Sequence, residues 1–481
     1  MTRKSILLLS VLAVVLGVMT LPSCSFSKKK ITITEVSDST STEVIHPYWL
    51  QNAVLYETNI AQATKEGTIN AFADQLGRIR QLGVNVIVLT PINPITEAQC
   101  SNGAGCQYAC NSFMQVAPAL GTVYDFTQMV KRAHENGLMV IMSWQAHHTS
   151  ASHHWLQDHP DWYAKSDSTA NACKYANTLN YSNSKMRDAM TEAMLYWVQS
   201  CDVDGFNCSL AEFVPVDYWQ EVRQKMDAVK SVAMFAESNN AEELCKKAFD
   251  ATYTYTINDM LDEIAYGVGE NHLTNGRQMQ KRTLSDLAVY SDSLVAKYPA
   301  DTYFINALTD YNLSVRKGSE RQRYGKCLKP FTILQYTLPG LPMLYFGQEI
   351  ANERVLSLFS RDPITSWVSS VENAKIQTVN RFRYNHTCLS AGAAGAKTVY
   401  YPTDNPNVLV FSRQNDDAIL YVFVNATPNT VTLKYKDKEP FERSRVTDVF
   451  NGTVQLEMPK TIAPWSYRLL TTLNLHNNYT N

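Results

Sequence analysis

The sequence predicts a (β/α)8 barrel followed by a smaller antiparallel β-sandwich, and three observations carry that prediction. From Pro47 to Cys388, strand-like and helix-like runs alternate, the signature of βαβ units and a parallel sheet. Apolar runs such as Val203 to Ser209 end in small and polar residues, as a buried parallel strand does where it opens into a loop. After Ala391-Gly392-Ala393-Ala394-Gly395, short strands separated by Asn, Asp, Pro and Gly replace the helical pattern. At 481 residues the chain is long enough for both parts.

Taken in order, Arg3 and Lys4 precede an apolar run from Ile6 to Leu21, which closes in Leu21-Pro22-Ser23-Cys24. Residues 1–24 look like a bacterial lipoprotein signal, with Cys24 lipidated and becoming the mature N-terminus. That places the protein in the cell envelope, anchored to a membrane through lipid. An ordinary cleaved signal peptide is the alternative reading. A transmembrane helix fits less well, because the run is short and ends in Pro-Ser-Cys. Residues 25–46, with Lys28-Lys29-Lys30 and a Ser/Thr-rich stretch, read as a flexible tether.

The barrel is expected over 47–390. Its eight strands are expected at Ala53–Asn59, Val84–Leu89, Leu138–Trp144, Val203–Ser209, Val232–Glu237, Ala251–Ile257, Thr302–Ala307 and Pro342–Gly347. Helices are expected over Thr68–Leu82, where Ile69, Phe72, Leu76, Ile79 and Leu82 share one face, and over Tyr124–Asn136, Ser184–Ser200, Val216–Lys230 and Glu372–Cys388. The sandwich occupies 391–481, with strands near Val399–Tyr401, Val408–Phe411, Ala418–Val424, Val431–Tyr435 and Tyr467–Leu470.

A net charge of −2 gives no reason to expect a nucleic-acid partner. The 26 Tyr and 8 Trp suit sugar stacking and a packed core equally. Cys100, Cys106 and Cys110 share one Gly-containing loop, and Cys173 sits in a later one. An exported chain permits at least one bridge there, with the pairing open and zinc as the rival reading. Cys201, Cys208, Cys245 and Cys327 read as buried thiols.

Several segments carry a resemblance to the alpha-amylase family (glycoside hydrolase family 13). They are Trp49 to Tyr56, Leu120-Gly121-Thr122, His159 to Tyr163, Phe206 with Val214 to Trp219, and Pro339 to Glu349. The resemblance spans about Tyr48 to Thr471. It implies a retaining glycosidase site, in which two carboxyls about 5 Å apart act as nucleophile and acid/base.

At the fourth strand the family pattern is Asp-Gly-Phe-Arg-x-Asp. Asp204, Gly205 and Phe206 match it, whereas Asn207 replaces the arginine and Ser209 replaces the nucleophilic aspartate. A serine hydroxyl needs an adjacent base to attack, and the sequence places none beside it. Glu237 matches the acid/base and Asp310 the third carboxylate, while Leu308 and Thr309 replace an Asn-His pair before it.

His148 matches a sugar-contacting histidine and Tyr108 a stacking aromatic. Ser143 and His147 stand where the family has Asp and Asn. His147, His148, His153 and His154 raise a metal site as an alternative, but no second-shell partner is evident and none is expected. Trp155, Trp162 and Tyr163 read as sugar platforms or as loop packing. Glu212 reads as a surrogate carboxylate or as a solvated one.

The expectation is an alpha-amylase-type protein that handles an α-glucan or maltooligosaccharide, binding it with little or no hydrolysis and needing no cofactor. A protein partner in a glycan-uptake system is a further expectation. Two alternatives stand beside it. One is an active α-glucosidic hydrolase with a rebuilt site, using Glu237 as acid and Glu212 or Asp310 as base or nucleophile. The other is a non-catalytic scaffold whose cleft is plugged by side chains such as His147 and Leu308.

Overall fold

The structure is a computed structural model. It describes residues 44–95, 109–164, 176–273, 276–357, 360–368, 370–416, 418–437, 439–440, 445–473 and 475. Cys24, Cys100, Cys106, Tyr108 and Cys173 lie outside these residues.

Eight parallel strands close into a barrel: β1 (Leu55–Thr58), β2 (Val86–Leu89), β3 (Met139–Trp144), β4 (Gly205–Ser209), β5 (Ala233–Glu237), β6 (Ala251–Tyr253), β7 (Tyr303–Ala307) and β8 (Leu341–Tyr345). Their order around the barrel is β1-β8-β7-β6-β5-β4-β3-β2. Strand alternation sends Leu55, Val86, Val88, Ile141, Ala233, Phe235 and Met343 into the barrel. It sends Tyr56, Ile87, Phe206, Cys208 and Met234 outward against the helices.

The foot of the barrel uses one device three times. The residue just before a strand accepts a hydrogen bond from a backbone N–H at the foot of a neighbouring strand. Asn85 Oδ1 takes Val54 N–H at 2.8 Å. Asp204 Oδ2 takes Val140 N–H at 2.7 Å. Asp250 Oδ2 takes Met234 N–H at 2.7 Å. Gly205 completes the foot of β4, because a Cβ there would lie 2.0 Å from the Ala233 carbonyl oxygen.

Two elements differ from expectation. The sixth strand ends at Tyr253, and a helix, Tyr255–Gly267, takes over. The expected helix Thr68–Leu82 is two helices, Ile69–Ala73 and Leu76–Gln81, because the Asp74 N–H turns back onto Ala71 O and Phe72 O. A hairpin of His148–Ser150 with Ala176–Thr178 rises from the loop after β3.

The C-terminal part comprises β9 (Lys397–Tyr400), β10 (Val408–Gln414), β11 (Ile419–Asn425), β12 (Val431–Thr432), β13 (Val446–Asp448), β14 (Val454–Gln455), β15 (Thr461–Ile462) and β16 (Ser466–Thr471). Six of these form an antiparallel sheet, β9-β10-β11-β16-β13-β14, and the pair β12-β15 forms a small second layer. One face of the sheet, with Leu409, Phe411, Leu420 and Val422, joins the core of the barrel helices. The other face, with Val410, Phe423 and Leu470, packs on Ile462 and its neighbours. Arg413 of β10 is 1 % exposed and donates to the Thr337 and Ser390 carbonyls, tying the sheet to the barrel.

Candidate active site at the barrel mouth

Parallel strands of one barrel bring their carboxyl ends to one rim, so inward residues at those ends converge. In register, Ser209 of β4 pairs with Glu237 of β5. The consequence is direct contact: Ser209 Oγ donates to Glu237 Oε2 at 2.6 Å. This corrects the expectation that nothing stands beside Ser209. The base was invisible because it lies on a neighbouring strand, 28 residues away. Asn312 Nδ2 donates to the other oxygen, Oε1, at 2.8 Å. Burial and the charge of Asp310 push the Glu237 carboxyl up to about 7, against the pull of Ser209, Asn312 and Arg316.

Asp310 is 2 % exposed and caps the helix Tyr311–Lys317, accepting Leu313 N–H at 2.6 Å. Its Oδ2 has no hydrogen-bond partner among the described residues. Burial raises its carboxyl above the ordinary value, against the Leu313 N–H and the positive charge of Arg316.

A third carboxyl, Glu57, was not singled out from the sequence. It is 6 % exposed at the end of β1, and its Oε2 accepts Tyr311 N–H at 2.7 Å. Burial raises it well above the usual carboxylate range, and the charges of Asp310 and Glu237 add to that. The signal was available: alternation in β1 puts Glu57 on the inward face with Leu55, at the carboxyl end of a barrel strand.

Tyr253 and Tyr255 stack at 5.2 Å beneath this cluster. Burial pushes both phenols up, helped by the charges of Glu57, Glu237 and Asp310. Asn207 is 2 % exposed, in register with Ser143 on β3 and Phe235 on β5. It reaches the Tyr253 side chain, and its Oδ1 has no hydrogen-bond partner among the described residues.

His148 sits on the hairpin, buried, with Nδ1 3.2 Å from His147 Nδ1 and Nε2 without a hydrogen-bond partner among the described residues. Burial and the neighbouring His147 hold its ring down to about 4, so it is neutral near pH 7. His153 instead caps the helix His154–Asp158, accepting Trp155 N–H at 3.1 Å. Among the described residues no group of three or more His, Cys, Asp or Glu side chains is placed to hold a metal ion.

Other candidates separate from the mouth. Leu308 packs in the outer core and does not plug the cleft. Trp155 and Trp162 pack edge to face at 5.1 Å, and His159 stacks on Trp162 at 4.1 Å, so this group holds a loop together. Glu212 is exposed on the turn Ala211–Phe213. Cys110 is a buried free thiol.

The chemistry follows from these contacts. An aspartate nucleophile forms a glycosyl ester, whose carboxylate leaves again. A serine would form another O-glycoside, as hard to cleave as the substrate. Glu237 would have to start ionised to take the Ser209 proton and start protonated to serve the leaving group, and one carboxyl cannot do both in the same step.

Comparison with known proteins agrees with this architecture. The family model for the alpha-amylase catalytic domain matches residues 37–174 and 169–383. Alpha-amylase MalA of Haloarcula japonica is 24% identical over 412 residues, 80% of this chain and 57% of that protein. Trehalose synthase/amylase TreS of Mycobacterium tuberculosis is 22% identical over 427 residues, 69% of this chain and 68% of that protein. The chain thus spans little more than half the length of the first of these relatives. Among solved structures, the maltogenic alpha-amylase AmyB of Thermotoga neapolitana superposes with a TM-score of 0.73 at 20% identity, over 88% of this chain and 99% of that one. The alpha-amylase of Geobacillus thermoleovorans complexed with acarbose superposes with a TM-score of 0.70 at 18% identity, over 88% and 98%.

Proposed function

This chain belongs to the alpha-amylase family, and on that premise we propose that it holds an α-glucan at the barrel mouth with little or no hydrolysis. The observation that carries the reading is the hydrogen bond from Ser209 to Glu237. The nucleophile's place is taken by an alcohol, and that alcohol occupies an oxygen of the acid. Losing one catalytic group typically costs several orders of magnitude in rate, and what remains does not rescue a grouped loss. Binding groups persist: Asp310 Oδ2, Asn207 Oδ1 and His148 Nε2 are buried with no hydrogen-bond partner among the described residues, and sugar hydroxyls suit them.

A lipid anchor at Cys24 would keep such a protein at the cell envelope, beside a protein partner that takes up or cuts the glucan. The test is calorimetry with a panel of maltooligosaccharides, followed by product analysis after long incubation. Saturable binding without product supports the reading. Turnover that disappears in Glu237→Gln overturns it. No sugar affinity at all favours a scaffold.

One observation favours a second reading, a rebuilt hydrolase. Glu57, Asp310 and Glu237 share one field, and Glu237 is poised near 7 as an acid. There, Glu57 or Asp310 would activate a water rather than attack, inverting the anomeric centre. Glu57→Gln would then abolish any turnover, and the first product would carry inverted configuration.

A further inference from the structure

A separate cavity of about 430 Å³ lies behind β8, between the helices Leu328–Thr337 and Val371–Asn385 and the turn before β16. Its size is that of a small-molecule pocket. Leu328, Ile333, Leu344, Ile376 and Val379 make it apolar. Two buried polar atoms without a hydrogen-bond partner among the described residues, Gln335 Oε1 and the Tyr336 hydroxyl, belong to the lining. Gln335 is 4 % exposed, its amide nitrogen donates to the Met343 carbonyl, and its Oε1 has no hydrogen-bond partner among the described residues. Trp465, also in the lining, holds a left-handed backbone at φ 48°, which a bulky residue adopts only under constraint from its surroundings.

The rim is basic. Arg321, Lys326, Lys329 and Lys375 face two carboxylates, Glu320 and Glu372. Arg321 lies 3.9 Å from Glu372, and its charge also acts on Glu320. Lys326 reaches Glu270 at 3.6 Å. Lys329 and Lys375 have no ion-pair partner among the described residues, and Lys329 lies 5.7 Å over the Tyr467 ring. Both lysines and Tyr467 also line a more open hollow of about 610 Å³ beside the first, so the two share this edge.

We propose that this cavity binds a small amphipathic anion, its apolar body against Ile333 and Ile376 and its carboxylate, sulfonate or phosphate at Lys329 and Lys375. The ligand's own donor, where it has one, meets Gln335 Oε1. A second glucan site is the rival, but the floor offers a sugar almost no hydroxyl partners.

The probe is 8-anilinonaphthalene-1-sulfonate, followed by fluorescence on the folded full chain. One saturable site is expected, undisturbed by excess maltoheptaose. Lys329→Gln with Lys375→Gln should weaken it by roughly tenfold without moving the melting temperature. Ile376→Trp, which fills the cavity, should remove it. The proposal is overturned if the folded protein shows no saturable binding, if maltoheptaose displaces the probe, or if the lysine pair leaves the affinity unchanged. That last result stands even if Ile376→Trp fails to fold. A failure at the barrel mouth would leave all three readouts untouched.

Discussion

The two ends of strand β4 obey different rules. At its foot the buried carboxylates are paired. Asp204, just before the strand, takes Val140 N–H, His134 Nε2 at 2.7 Å and Lys230 Nζ at 2.8 Å. Nearby, Asp250 takes Met234 N–H, Arg223 at 2.9 Å and His46 at 2.7 Å. At the mouth, Glu57, Asp310 and Glu237 crowd together with their carboxyls raised, and Asn207 and Asp310 keep an unanswered oxygen. The foot is built for stability. The mouth carries the unsatisfied groups that a ligand would complete. The difference also explains the family pattern. Asp204, Gly205 and Phe206 match because the barrel needs them, whereas Asn207 and Ser209 face inward, where only chemistry constrains them.

The contrast is broken most severely at the foot. Gly205→Ala puts a Cβ against the Ala233 carbonyl and should cost about 3 kcal/mol or more, read as loss of a cooperative melting transition or of soluble protein. Asp250→Ala leaves the buried Arg223 with Asp227 as its remaining carboxylate and the Met234 N–H unpaired, and should cost about 3 kcal/mol in denaturant unfolding. At the mouth, Ser209→Ala should change stability by less than about 1 kcal/mol, and Glu237→Gln should be neutral or stabilising. A loss at the mouth equal to that at the foot would erase the distinction.

Smaller effects separate the two ends by pH. Glu237 is raised from 4.5 to about 7 in the folded chain. The folded protein therefore holds a proton that the unfolded chain has released, and stability falls as pH rises across that window. His46 is also raised above 6.5: burial opposes its charge, but Asp250 and Asp301 outweigh it. Hydrogen bonding to Asp204 raises His134 likewise. Their contribution is complete below 6.5 and is lost as pH climbs through the raised values. Melting curves from pH 4.5 to 9 should show a shallower lower slope in Glu237→Gln, where Glu57 and Asp310 still contribute, and a shallower upper slope in His46→Gln, where His134 still contributes. Exchange of those two slopes would reverse the assignment.

Much of this was legible in the chain. All eight barrel strands lie where alternating apolar runs put them, because a buried parallel strand must be apolar on both faces. The sixth was overextended, since Tyr253-Thr254-Tyr255-Thr256-Ile257 has strand composition, yet Tyr255 begins a helix. The helix Leu284–Lys297 was missed despite its capping box of Thr283 and Asp286. In the C-terminal part, β13, β14 and β15 are too short, at two or three residues, to show a period.

Local pattern alone determined that this chain is a barrel with an appended sheet, and the family resemblance marked Ser209 as the residue expected where relatives carry a nucleophile. Burial and alternation are written residue by residue, so they can be read that way. Tertiary structure decided what surrounds the serine. Glu237 reaches it from the next strand, Asn312 holds Glu237 from 75 residues away, and Glu57 meets Tyr311 N–H from 254 residues away. Those distances in sequence vanish only when the sheet closes, and with them the charges that set each carboxyl.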